Sequence, residues 1–283
     1  MRSGWSASAG IIGLLAPWAL GGVPALAVDE IQVYNAEIAE VGQWTYQQHL
    51  NYTWQGLTQP EFPGRLVPNH SLQGTPEFAY GMTDWWEVGW YAPFAVNNEG
   101  QLFSNGGKIR NLFVVPDAEK RSFFYGINFE LSYETPPFSQ TPWALEIRPI
   151  IGVRGKDWEF IVNPIVDVDF SATGQTVFAP ALRLARNLGE DRFIGMEYYE
   201  NLGRLGNDQL YAMTDFKLGK VDVELGIGYG LTPESDRLVT KAIIGYAFPV
   251  PGKSNADEAQ TISMTNPLGR RSSTELAWAP GFR

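Results

Sequence analysis

The sequence predicts an all-β fold: an antiparallel, up-and-down transmembrane β-barrel of about twelve strands. Three observations predict it. Segments with apolar and polar residues in strict alternation recur along the chain, several longer than an ordinary strand. Within them the charges gather on one face. After the N-terminal segment, no stretch approaches the roughly 18 uninterrupted apolar residues that a spanning helix needs, and the mean hydropathy is −0.17.

The first strand shows the pattern most cleanly. In Gln43–Trp54 one face reads Trp44, Tyr46, Gln48, Leu50, Tyr52, Trp54, and the other reads Gln43, Thr45, Gln47, His49, Asn51, Thr53. Period-2 alternation gives an extended strand two unlike faces. Its length suits a tilted bilayer crossing of about 9–11 residues better than the roughly 5–6 of a globular strand. Ser122–Tyr133, Trp158–Phe170 and Val221–Gly230 repeat the pattern. Thr75–Thr83, Trp85–Phe94, Lys108–Val115, Trp143–Val153, Val177–Arg186, Arg192–Tyr199, Gln209–Leu218 and Arg237–Phe248 complete the set. A secreted β-sandwich also alternates, but strand length and aromatic residues near strand ends favour the barrel.

Connections alternate between short turns, such as Thr83-Asp84 and Gly219-Lys220, and longer polar stretches at Gln55–Gly74, Asn97–Gly107, Thr135–Pro142 and Asn201–Asp208. Short periplasmic turns and longer external loops are the usual arrangement. Gln55–Gly74 is the longest and is expected to fold over or into the mouth. Pro149, Pro164 and Pro180 fall inside strands, where each is expected to mark a bulge or a break.

A charge facing lipid costs roughly 2–4 kcal/mol at the bilayer midplane, and the expected lipid face carries none. The opposite, lumen-lining face is expected to hold His49, Glu77, Glu87, Arg110, Glu130, Glu146, Arg148, Glu159, Asp167, Asp169, Arg183, Glu197, Asp222, Glu224 and Lys241, together with Lys108, Asp215 and Lys217.

Near its start the chain carries Arg2, then an apolar run from Ile11 to Leu20, and then Ala25-Leu26-Ala27. That is the order of a secretory signal peptide, residues 1–27, cut after Ala27. Residues 28–42 are unplaced, with Asp29–Glu40 open to an extra strand, a short helix or an N-terminal plug. The barrel is expected over 43–248, and Pro249–Arg283 as a flexible tail in the periplasm or the lumen. The net charge is −10, and with Arg2 lost and no acid removed it becomes −11. Such an acidic protein is a poor nucleic-acid binder. The absence of cysteine suits an oxidising compartment without being diagnostic.

Chemistry has little purchase. A lipid hydrolase would need a serine and a histidine that meet in space, and Asn69-His70-Ser71 lies in a Pro-containing loop while His49 sits among Gln and Asn. Asp167 with Asp169, and Asp222 with Glu224, share a face and could hold Ca²⁺ through oxygen. Pairing with Arg148, Arg183 or Lys217 is the simpler fate. No enzyme and no cofactor are expected.

Tyr80-Gly81-Met82-Thr83-Asp84 is a strand end entering a Thr-Asp turn, followed by Trp86, Val88, Trp90 and Pro93-Phe94. With Phe123–Tyr133 and Gly226–Phe248, these residues resemble the outer-membrane barrel family catalogued as a component of a phenol-degradation (meta-pathway) system. The resemblance covers most of Gln43–Phe248. It implies a transporter-like barrel passing small aromatic compounds, and it carries no catalytic or binding residue onto this chain.

The expected location is therefore the outer membrane of a Gram-negative cell, with lipid as one partner. Barrel-assembly machinery is another, through the aromatic-ended terminal strand with Ile244, Tyr246 and Phe248 on one face. Two function classes follow: a passive channel or transporter for small solutes, and a non-conducting structural or assembly barrel with a packed lumen.

Overall fold

In lipid every backbone N–H and C=O needs a partner within the protein, so a sheet that crosses the bilayer has to close on itself. The computed structural model describes residues 30–172, 174–189, 192–201 and 206–250. The expected signal peptide 1–27 and the expected tail beyond residue 250 lie outside the described residues. In chain order the strands are β1 (Trp44–Gln55), β2 (Leu72–Gly81), β3 (Trp86–Tyr91), β4 (Phe94–Val96), β5 (Leu102–Ser104), β6 (Gly107–Val114), β7 (Phe123–Tyr133), β8 (Trp143–Arg154), β9 (Trp158–Asn163), β10 (Val166–Asp169), β11 (Thr176–Phe178), β12 (Ala181–Gly189), β13 (Arg192–Tyr199), β14 (Gln209–Leu218), β15 (Val221–Gly230) and β16 (Leu238–Ala247). β1 pairs antiparallel with both β16 and β2, which closes the sheet. "Inner" here denotes the end with the short turns, where Trp44 and Ala247 lie.

These segments make a closed barrel of twelve antiparallel wall strands, four of them interrupted. β3 and β4 keep one register against β2, with Glu77 opposite Tyr91 and Gly74 opposite Phe94, and Pro93 lies between them. On the next wall strand, Tyr91 faces Lys108 while Phe94 faces Ser104, so β5–β6 carries one extra residue, a bulge at Asn105-Gly106. Gly106 adopts φ 70°, and a Cβ there would lie 2.1 Å from the Tyr133 carbonyl oxygen, so only glycine fits. β9–β10 is interrupted at Pro164-Ile165 and β11–β12 at Ala179-Pro180.

Two expectations change. Asn97–Gly107 is not a plain external loop, because Leu102–Ser104 continues the wall as β5. Its turn is closed by the Asn97 side chain, which accepts from Glu99 N at 3.0 Å and Gln101 N at 2.8 Å. The outward face also carries charge after all, since Arg186 and Arg192 are exposed at the inner strand ends. Arg186 lies 5.7 Å from the centre of the Trp158 ring. At the membrane edge such a charge costs only about 0–1 kcal/mol, because the long side chain reaches water.

The outer wall is otherwise mostly apolar. Ile109, Tyr125, Ile151, Ile194 and Ile227 point outward and are about half exposed. Trp85, Trp86 and Phe113 stack at the inner end with centroids 6.1–6.4 Å apart. At the outer end Tyr133 meets Trp143 at 5.1 Å and Tyr52 meets Trp54 at 4.6 Å. Aromatic girdles of this kind sit at the two lipid–water boundaries. The inside is the reverse: His49, Glu77, Glu87, Arg110, Glu130, Arg148, Glu159, Asp167, Arg183, Glu197 and Lys241 are each 7% exposed or less.

Candidate functional site

The polar faces of the strands converge on one interior, and the first thing found there is the chain itself. Going backwards from β1, Gly42 turns the backbone with φ 81° and donates to the Gly81 carbonyl at 2.8 Å. Val41 bridges Gly81, whose missing Cβ would lie 2.1 Å from the Glu40 carbonyl oxygen. Residues 40–30 then run through the lumen without joining the wall ladder. Of the three possibilities for Asp29–Glu40, residues 30–40 take the plug, and Asp29 lies outside the described residues.

Four wall side chains hold this strap by its backbone. Glu87 accepts from Ala39 N at 2.6 Å, and Asn163 both accepts from Tyr34 N at 2.7 Å and donates to Tyr34 O at 3.0 Å. Arg148 donates to Gln32 O at 3.1 Å and Lys241 to Ile31 O at 2.9 Å. Tyr34 adds its hydroxyl, 2.9 Å from both Glu130 and the Tyr91 hydroxyl, and its ring lies 4.2 Å under the Arg148 guanidinium.

Val33, Tyr34 and Ala36 bury against Leu112, Val114, Phe124, Ile150 and Ile161. These wall residues stand on lumen faces that sequence reasoning treated as simply polar. A signal was available: Ile161 and Ile165 interrupt the polar face of β9–β10, and Phe124 that of β7. An apolar patch on a wet face implies that something covers it.

The charged side chains form networks around the strap. Arg110 contacts Glu77 at 2.7 Å and also Glu87, while His49 lies 3.2 Å from Glu77. Arg183 contacts Asp215, Glu197 at 3.1 Å, Glu224 at 3.3 Å and Glu159 at 3.7 Å. Lys241 contacts both Glu197 and Glu224. Arg148 forks onto Glu146 at 2.6 and 3.0 Å, and Lys108 lies 3.8 Å from Glu30 and from Glu130. Asp222 sits at the inner rim, 3.5 Å from Lys217.

Asp169 keeps the inward face, and the turn that follows takes up its carboxylate. Its carboxylate accepts from the Ser171 N at 2.9 Å, the Ser171 hydroxyl at 2.5 Å and Gln175 N at 3.2 Å. It ties the β10–β11 turn, because a carboxylate just before a turn finds the turn's own donors first. No cluster of three potential metal ligands occurs among the described residues.

Among the described residues, two cavities border the strap. One of about 200 Å³ opens on the inner half, between the strap and Thr45, Arg183, Asp215 and Tyr246. The other, about 130 Å³, lies toward the outer loops and is lined by Glu130, Glu146, Asp167, Ile165, Ala179 and Tyr199, among others. Over the mouth, the loop 56–71 bonds two others: Leu66 N donates to Pro137 O at 2.8 Å and Leu57 N to the Asp236 carboxylate at 2.9 Å. Burial pushes the Asp236 carboxyl above its usual value, against the pull of that N–H and of Arg65.

The hydrolase candidate does not assemble. The Ser71 hydroxyl donates to Pro68 O at 2.6 Å, exposed His70 has φ 56°, and His49 faces Glu77.

No family model matches this chain, and no curated protein matches it. Among solved structures it is similar to an outer membrane channel from Pseudomonas putida F1, with TM-score 0.52 and 11% identity over 77% of this chain and 100% of the other. It is also similar to KdgM porin, with TM-score 0.50 and 11% identity over 72% of this chain and 99% of the other. At this identity the likeness is one of fold, that of outer-membrane barrels.

Proposed function

We propose that this chain is an outer-membrane channel for small solutes whose resting lumen is occluded by its own N-terminal strap. One observation carries this reading. Residues 30–42 run through the interior on side-chain bonds to their backbone and pair with no wall strand beyond the single bridge at Val41, with a cavity on either side. A segment held this way is removable without opening the wall ladder. A barrel of this size otherwise tends to be filled by its side chains. Passage would be governed by lumen width and by the charges along it.

Acids outnumber bases on the lumen face, which favours cations and neutral molecules. Small aromatic compounds, suggested by the family resemblance, fit this lumen as neutral rings better than as aromatic acids. The second reading, a non-conducting structural barrel, draws on the buried ion networks that pack the interior. Conductance of the refolded mature chain in a planar bilayer, compared with a variant lacking residues 28–42, decides between them. A closed or flickering mature chain and a steadily conducting deletion variant support the channel; silence from both variants in a correctly folded barrel overturns it.

A further inference from the structure

Antiparallel pairing places Glu130 of β7 directly opposite Glu146 of β8, and Glu146 directly opposite Asp167 of β10. All three point into the lumen, so three carboxylates form one row across adjacent strands. Like charges directly opposite on a sheet are destabilising unless a cation intervenes. Two of the three have partners. Glu146 holds the Arg148 fork, and Glu130 accepts from the Tyr34 hydroxyl and from Asn128 at 2.8 Å. Asp167 makes no hydrogen bond or ion pair with any described residue, although it is only 7% exposed and lines the outer cavity.

We propose that this cavity is a binding site for a small organic ammonium ion, with Asp167 as its counter-ion. Arg148 and Lys108 also line the cavity, but Arg148 is engaged by Glu146 and the strap, and Lys108 lies 3.8 Å from Glu30 and from Glu130. Asp167 is the one carboxylate of the row that neither cation contacts. An ammonium brings three donors, enough to reach Asp167 and the Glu146 edge together. A bare divalent ion fits poorly, because Ca²⁺ takes 6–8 oxygen ligands and no three-ligand cluster exists among the described residues. The rest of the wall selects the body of the ligand: Ile165, Ala179 and Ala144 give it an apolar side. A short alkyl chain with a charged head matches both halves.

This site deepens the channel reading by naming a solute class, but it is testable without conduction. The refolded mature barrel in detergent micelles is titrated calorimetrically with n-butylammonium chloride, and in parallel with 1-butanol and with KCl at matched ionic strength. Saturable binding of n-butylammonium alone is expected, weakened at least tenfold by Asp167→Asn. That variant removes a like-charge contact, so it should fold at least as well as the parent. Ser132→Lys, which puts a tethered ammonium into the same cavity, should abolish the binding. Equal response to 1-butanol or KCl, or undiminished binding by Asp167→Asn, overturns the site. A barrel that binds but never conducts refutes the channel alone; one that conducts without saturable binding refutes the site alone.

Discussion

Pro149 and Pro164 stand opposite one another on neighbouring wall strands. Ile147 faces Val166 on one side of them and Ile151 faces Val162 on the other, so the register passes through both prolines without a slip. Pro180 continues the row, since Val166 faces Phe178 and Asn163 faces Ala181. Ala179 N donates to Ile165 O at 2.9 Å and Glu200 N to Pro180 O at 3.0 Å. By alternation along the ladder, the bonding edges of Pro149 and Pro164 then face each other. Each proline lacks a donor where its opposite number offers only a carbonyl, and no N–H is orphaned. The missing rungs leave under-satisfied carbonyls, the more tolerable kind of defect.

Replacing both prolines should therefore mend the seam. Pro149→Ala with Pro164→Ala restores two N–H groups aimed at waiting carbonyls, each bond contributing about 0.5–1.5 kcal/mol. The double variant is expected to unfold at a higher urea concentration than the parent in lipid vesicles. A lower midpoint would mean that the strands splay here and that the new N–H groups find no acceptor.

The Asn163 side chain clips the strap at its middle through two bonds to Tyr34. Asn163→Ala leaves the Tyr34 N–H and C=O without those partners, at a cost of about 1–3 kcal/mol. The chain has no cysteine, so a single Val33→Cys reports strap exposure cleanly. Its labelling by a water-soluble maleimide is expected to accelerate roughly tenfold or more when Asn163→Ala is added. An unchanged rate would show that the strap is held elsewhere.

The twelve wall strands were legible because period-2 alternation runs through most of each, and those interrupted at Pro93, Pro164 and Pro180 keep their register, whereas β5–β6 slips by one residue at Asn105-Gly106. Pro164 and Pro180 mark breaks, as expected, whereas Pro149 leaves β8 continuous along β7. None of the three makes a bulge, because a bulge needs an extra residue and proline removes a donor without adding one. The strap was legible only as one of three possibilities for its segment. Its residues contact strands far away in sequence, Tyr34 meeting Asn163 across 129 positions, and an extended segment bonded through other residues' side chains has no period of its own. Asp169 keeps the expected face, but alternation says nothing of the donors in the next turn that take up its carboxylate.

The two faces of the wall make opposite demands on a charge. Phe129 is on the outward face, next to Glu130 inside. Phe129→Arg should lose about 2–4 kcal/mol of stability in lipid, seen as a lower folded fraction in vesicles. Ser132→Arg places the same charge in the acid-lined outer cavity and is expected to fold about as well as the parent. Equal impairment of the two would overturn the assignment of faces.

Glu197 and Lys241 are both fully buried, 0% exposed in their side chains, and joined directly. Glu197 also holds Arg183, and Lys241 also holds Glu224 and the Ile31 carbonyl. Removing one partner of a buried pair strands the other charge, at a cost of about 3–5 kcal/mol, whereas removing both costs far less. Glu197→Gln and Lys241→Met should each lower the urea midpoint sharply. The double variant should recover much of the loss, because Glu224 keeps Arg183 and the uncompensated charge is gone. Losses that simply add would mean that the two side chains contribute independently, and that the network is a set of separate contacts around the strap.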